Sequence, residues 1–159
     1  MAAKYPFEEW TRVAWVTTIA DIAEPSPTEL SAGTDITCYL TKDGLNPGGS
    51  TNGIDAGTLC NRVAGQVAGS VSYQAPLKGY RYVAGDDDFW DLCAYGTSGY
   101  LVVRRGVAYS DAFAADDVVE VYKAQMGEPI PATSAANAMQ TFEVGLFVED
   151  ANLKAVVTV

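Results

Sequence analysis

Twenty carboxylates and no histidine set the chemical limits of this 159-residue chain. Without histidine there is no Ser-His or Cys-His nucleophile, no common general base, and few routes to a catalytic zinc site. Two carboxylates suitably separated hydrolyse glycosides, but that pairing is defined in space and no spacing in the sequence marks it. Asp86, Asp87, Asp88 and Asp91 are a calcium-like cluster, yet they lack the alternating spacing and central glycine of a calcium loop. They suit the first turn of a helix better, where negative charge meets the positive end of the dipole. The stretch Gly48, Gly49, Ser50, Thr51, Asn52 resembles the start of a GxSxG elbow without its second glycine. No GxxxxGK[ST] or GxGxxG accompanies it. The sequence therefore reads as that of a protein that is not an enzyme, without cofactor or metal.

The remaining reactive or charged residues point to contacts. In YLVVRRGVAY, residues 100–109, strand alternation puts Arg104 and Arg105 on opposite faces, so one of them must enter the core. Either the strand ends at Gly106, or an arginine is held by a carboxylate from elsewhere, with Asp116, Asp117 and Glu120 as candidates either in the same chain or in a neighbouring subunit. Cys38, Cys60 and Cys93 have no ligand-like spacing, and an odd number without an export signal predicts buried free thiols. Ten Lys and Arg against twenty Asp and Glu give a net charge of −10, which opposes tight binding to nucleic acid. Tyr80, Tyr82, Tyr95, Tyr100 and Tyr109 could stack on sugars, although core or cross-strand packing is the commoner fate of such residues in β proteins.

The elements that must hold these residues are mostly strands. One domain spanning 1–159 is expected, long enough to bury roughly 68–70% of its unfolded surface. TRVAWVTTI, residues 11–19, is β-branched and aromatic and reads as a strand with Val13, Trp15, Thr17 and Ile19 on one face. Pro25 and Pro27 limit the next segment to a short helical turn at Thr28–Leu30, followed by a strand at 35–40. Residues 43–57 hold five glycines, two asparagines and a proline, and predict a long loop acting as a contact arm, with Asn46, Pro47 and Asn52 as interface residues. Residues 62–83 predict one interrupted strand or a hairpin broken near Pro76 and Gly79. DDDFWDLCAYG predicts the main helix, stopped by Gly96. Strands at 100–105 and 118–126 follow, then a terminal hairpin of 141–149 and 153–159. Its polar face supplies Glu143, Glu149 and Lys154. The sum is mainly β: a β-sandwich or partly closed β-barrel with one flanking α-helix. No apolar run approaches the ~18 residues of a membrane span, and MAAKYPFEEWTR has no secretory signal, which predicts cytosolic synthesis without membrane insertion.

WVTTIADIAEPSPTELSAGTDITCYLTKDGLNPGGSTNGIDAGTLC and GTSGYLVVRRGVAYSDAFAADDVVEVYKAQMGEP resemble the major tail tube proteins of long-tailed, siphovirus-type phages of actinobacteria. The likeness covers Trp15–Cys60 and Gly96–Pro129. It rests on the order of features: a Pro-rich passage into ELxAGTD, the DGLNPG segment, GYLVVRRG, and a DDVVEVY strand. The resemblance implies a structural virion protein forming hexameric rings that stack into a hollow tube, assembled in the host cytoplasm around a tape measure protein and capped by a tail terminator. DNA passes through the bore without adhering, and Glu143, Glu149 and Lys154 are then lumen candidates. No catalytic residue or cofactor comes with the family. The alternative is a carbohydrate-binding β-sandwich of a phage tip or decoration protein.

Overall fold

The computed structural model describes residues 2–159. Two sheets form the body. The larger has seven strands in the order β2 (Thr34–Asp35), β1 (Thr11–Val16), β7 (Ser98–Arg105), β8 (Val118–Met126), β11 (Leu146–Val156), β5 (Gln66–Gln74), β4 (Gly48–Asp55). The smaller has four: β3 (Leu40–Leu45), β6 (Leu77–Tyr80), β10 (Thr141–Val144), β9 (Ile130–Pro131). Every recorded pairing is antiparallel. The fold is a two-sheet sandwich and not a closed barrel.

The central strands of the large sheet are buried on both faces, which explains their near-continuous apolar runs. Val13, Trp15, Leu101, Val103, Tyr122 and Ala124 point between the sheets and meet Phe142, Leu77 and Phe89. Ala14, Val16, Val102, Val119 and Val121 point the other way, against Ile19, Leu30, Phe113 and Val157. A layer of loops and one short helix thus covers the outer face. That helix, α1 (Pro27–Ser31), is fixed by Pro27 in its first turn and a capping box. Ser26 Oγ accepts from the Glu29 amide at 3.3 Å while Glu29 Oε2 accepts from the Ser26 amide at 2.9 Å. Leu30 anchors it in the core. Gly99 is needed where β7 crosses the Trp15 indole, since a Cβ there would lie 2.6 Å from Trp15 Cζ2.

Several expectations change. β1 ends at Val16, and Ile19 reaches the outer core from the following loop. The predicted strand at 35–40 is a two-residue bridge and a 3-10 turn at Thr37–Tyr39, with β3 starting at Leu40. There are two short α-helices; the predicted main helix is only five residues, α2 (Asp88–Leu92). The terminal hairpin does not form. At Gly145 the chain leaves the small sheet for the large one, so β10 pairs with β6 and β9 while β11 pairs with β8. Phe142, Val144 and Leu146 are all buried, and their alternation continues through the crossing. A pattern that continues through a crossing looks like one strand in sequence.

Candidate assembly surfaces

Both answers to the arginine question hold. β7 ends at Arg105, and Gly106 turns away with φ +84°, a conformation that favours glycine. Arg104 enters the outer core at 1% exposure, so its five N–H donors need partners there. Residues 106–117 wrap around it and supply four acceptors to Nη1 and Nη2, while Nε has no partner among the described residues. Arg104 Nη1 donates to Asp117 Oδ2 at 3.0 Å and to the Ala112 carbonyl at 2.8 Å. Its Nη2 donates to the carbonyls of Ala108 at 2.9 Å and Asp111 at 2.7 Å. Asp117 Oδ2 also accepts from the Ala114 amide at 3.0 Å, which closes the loop on itself.

Arg12 stands directly opposite Arg104 on β1. It donates to the Asp111 carbonyl at 2.7 Å and pairs with Asp35 at 3.3 Å. Both guanidinium groups lie over the Phe113 ring, 5.0 and 5.1 Å from its centroid, a cation–π arrangement. Arg105, on the other face, donates from Nε to Glu120 Oε1 at 2.9 Å, and Tyr122 Oη donates to Glu120 Oε2 at 3.1 Å. Burial is the main reason the Tyr122 phenol is raised above its ordinary pKa, with the Glu120 charge adding to it.

Arg104, Arg105, Asp117 and Glu120 therefore come together within one chain, the intrachain alternative to a contact across a subunit boundary. The physical reason is burial: a guanidinium at 1% exposure is satisfied by the nearest backbone, and its own loop is the nearest. Asp116 is not part of the pairing; it takes φ 68° at the loop end, where its amide donates to the Val157 carbonyl at 2.9 Å.

The second surface is the segment read as a glycine-rich loop. It is an arm. β4 pairs with β5 over nearly its whole length, Gly48 opposite Gln74 and Asp55 opposite Gln66, with a shift between Thr51 and Gly53. Cross-strand hydrogen bonds replace apolar packing: Ser50 Oγ lies 3.0 Å from Ser72 Oγ, and Asn52 Nδ2 donates to Ser70 Oγ at 3.1 Å. Every residue of β4 is exposed, and the arm joins the sheet at its root, through Phe147 opposite Gln74 and through Tyr73, whose ring lies edge-on 6.3 Å from that of Tyr122. Ile54, Leu59, Val63, Val67 and Val71 stand exposed along it. Asn46 and Pro47 form its root, where Asn46 Nδ2 donates to the Asp43 carbonyl at 2.8 Å. The Asp43 carboxyl is lowered below its usual range by the Thr41 hydroxyl, which donates to it at 2.8 Å.

The three lumen candidates do not share a face. Glu143 lies on the exposed side of β10 in the small sheet, whereas Glu149, paired with Lys123 at 3.5 Å, and Lys154 lie on β11 in the large one. The aspartate run is divided among structural tasks. Asp87 accepts from Arg81 Nε at 2.6 Å and from the Tyr82 amide at 3.1 Å, while Asp88 accepts from Tyr39 Oη at 3.0 Å. Among the described residues no cluster of His, Cys, Asp and Glu is arranged to hold a metal, and no helix is long and apolar enough to cross a membrane. Only Cys93 is a buried thiol; Cys38 and Cys60 are exposed, which corrects the expectation for two of the three. A cleft of about 320 Å³ opens at the end of the sandwich between the start of β1 and β3, lined by Phe7, Val13, Leu40 and Leu45, with Glu8, Glu9 and Lys42 at its charged positions.

Sequence reasoning missed Arg12, Phe113 and this cleft. A signal for Arg12 was present: alternation aligns it with Ala14 and Val16, a charge on an otherwise apolar face.

No curated protein matches the sequence. Among solved structures, a chain from the cryo-EM structure of the anti-feeding prophage baseplate shares the fold, with a TM-score of 0.59 at 12% identity over 97% of this chain and 98% of that one. The family model described as phage tail tube protein matches residues 1–159. By that match, which spans the entire sequence, the chain belongs to the phage tail tube protein family.

Proposed function

We propose that this protein is the subunit of a tail tube of a long-tailed phage of an actinobacterial host, six copies closing a ring and rings stacking into a hollow conduit for DNA. It is a structural and non-enzymatic component of the virion tail, assembled in the host cytoplasm around a tape measure protein and finished by a terminator, without membrane insertion. The observation that carries this reading is the arm. A two-stranded ribbon that packs only Tyr73, at its root, against the body is at best marginally stable alone, and this one displays five exposed branched aliphatic side chains. Contacts with other copies would supply the missing burial.

Two further features support it. The large sheet ends in β4, an eight-residue edge strand whose outer hydrogen-bonding groups have no strand beside them, the kind of border that oligomers cover. The net charge of −10 favours passage over adhesion, because carboxylates on an inner wall repel phosphates within a Debye length of about 8–10 Å. Glu143 and Glu149 are the proposed wall carboxylates with Lys154 beside them, and Asn46, Pro47, Asn52 and Asp116 the proposed contact positions. The baseplate that shares the fold was resolved with sixfold symmetry, which agrees with rings of six.

The test is polymer formation by purified protein, followed by electron microscopy. Hollow tubes with sixfold end views are expected. A compact monomer at every concentration and salt, or a ring with a cationic or plugged centre, would overturn the reading.

A further inference from the structure

The arm ends in a turn, residues 56–65, closed by the Ala56 amide donating to the Gly65 carbonyl at 2.8 Å. At that turn Leu59 is 109% exposed and Val63 78%, with Arg62 between them, the one cation of the arm. The fold also carries a cleft of matching character. Its floor is apolar, from Phe7, Val13, Leu40 and Leu45, and two adjacent carboxylates, Glu8 and Glu9, border it. Glu8 is paired with Lys42 at 3.3 Å; neither Glu9 nor Arg62 makes an ion pair among the described residues.

The topology keeps the two apart within one molecule. The cleft includes Thr11 and Val13 of β1, and three strands stand between β1 and β5 in the large sheet. At a strand spacing of about 4.8 Å, β1 and β5 are roughly 19 Å apart across the sheet. β5 runs antiparallel to β11 from a root at Gln74 opposite Phe147, so its free end points along β11 toward Val156, the end of the sheet at which β1 begins. Donor and acceptor thus lie at opposite borders and face the same end. Such a contact between copies is heterologous, head to tail, and generates a ring or an open helix.

We infer that the arm tip of one copy docks into this cleft of a second copy, Leu59 and Val63 filling the apolar floor and Arg62 pairing with Glu9. The inference rests on the tube reading above and names the contact by which copies join. Nature has placed a reporter on each side: Cys60 lies between Leu59 and Arg62, and Cys38 lines the cleft.

The experiment uses assembled full-length protein. Diamide takes two electrons and two protons from a pair of neighbouring thiols and is reduced to the hydrazine as the S–S bond forms. Non-reducing gels and peptide mass spectrometry are expected to show an intermolecular Cys38–Cys60 bridge, lost in both C38S and C60S. Arg62→Glu is expected to lower polymer yield at least tenfold with an unchanged thermal melt, and Glu9→Arg in the same chain to restore it. Tubes that form without the bridge, together with Arg62→Glu polymerising as wild type, overturn this contact and leave the tube reading intact. Failure of the wild type to polymerise at all overturns both, beginning with the tube.

Discussion

The loop around Arg104 and the β4–β5 arm are both polar excursions from the same large sheet, and they are built on opposite principles. The loop closes inward on a single buried charge, and four hydrogen bonds from one guanidinium tie down residues 108–117. The arm has no such centre. Its strands hold each other through backbone pairing and small hydroxyl and amide side chains, and leave their apolar groups in solvent. The first closes within the monomer, whereas the second, on the reading proposed above, is completed by contact with another copy.

Mutations that pull these two apart should differ most at Arg104. Arg104→Met removes the guanidinium that faces the Asp117 carboxylate and the donors to the Ala108 and Ala112 carbonyls, and is expected to cost about 3–5 kcal/mol, read as a fall in the denaturant midpoint. An unchanged midpoint would show that the loop does not depend on its buried charge. Gly99→Ala forces a methyl group into Trp15 and the Val16 carbonyl and should cost ~1–3 kcal/mol in the same assay.

Next in size is the cap of α1. Ser26→Ala removes one half of the capping box and should cost about 1 kcal/mol. This site also responds to acid. The Ser26 amide, then the Ala20 amide, hold the Glu29 carboxyl below its ordinary value of 4.5. Its contribution is therefore fully present above about that pH and is lost as the pH falls through the lower folded value. A Glu29→Gln variant should show a shallower loss of stability across that acid window than the wild type.

Smallest of all is the arm. Replacing residues 56–65 by an Asn-Gly turn should move monomer stability by less than ~0.5 kcal/mol, the range of exposed changes, while polymer formation is lost. A large drop in monomer stability would erase the contrast. Thiol labelling gives a last comparison, since burial pushes the Cys93 thiol up to about 12. Near pH 8, Cys38 and Cys60 should react readily in the monomer and Cys93 only on unfolding.

Much of the body could be read before the structure. β1, β7 and β8 announce themselves because both faces are buried and their runs of valine, leucine and aromatics leave little else to be. Of the arm, β5 was legible as a strand from its alternation, whereas β4 was mistaken for a loop, because strand prediction follows apolar alternation and β4 has only Ile54 to show for it. The terminal hairpin failed for the reverse reason: the alternation through Phe142, Val144 and Leu146 is real, but it serves two sheets. Asp117 was among the carboxylates expected to hold an arginine, but the other three acceptors of Arg104 are backbone carbonyls, which every residue owns and no sequence pattern can mark.

Three places where the chain changes sheets gather near one spot: Asn46–Pro47, Ala75–Pro76 and Gly145. Gly48, Gln74 and Phe147 pair there side by side, so the base of the arm is also the seam between the layers. Tension applied at the far end of the ribbon is delivered to two covalent connections, Asn46–Pro47 and Ala75–Pro76, and to the backbone pairing of Gln74 with Phe147 beside Gly145. A lever anchored in this way passes load into both layers of the body rather than into one edge strand.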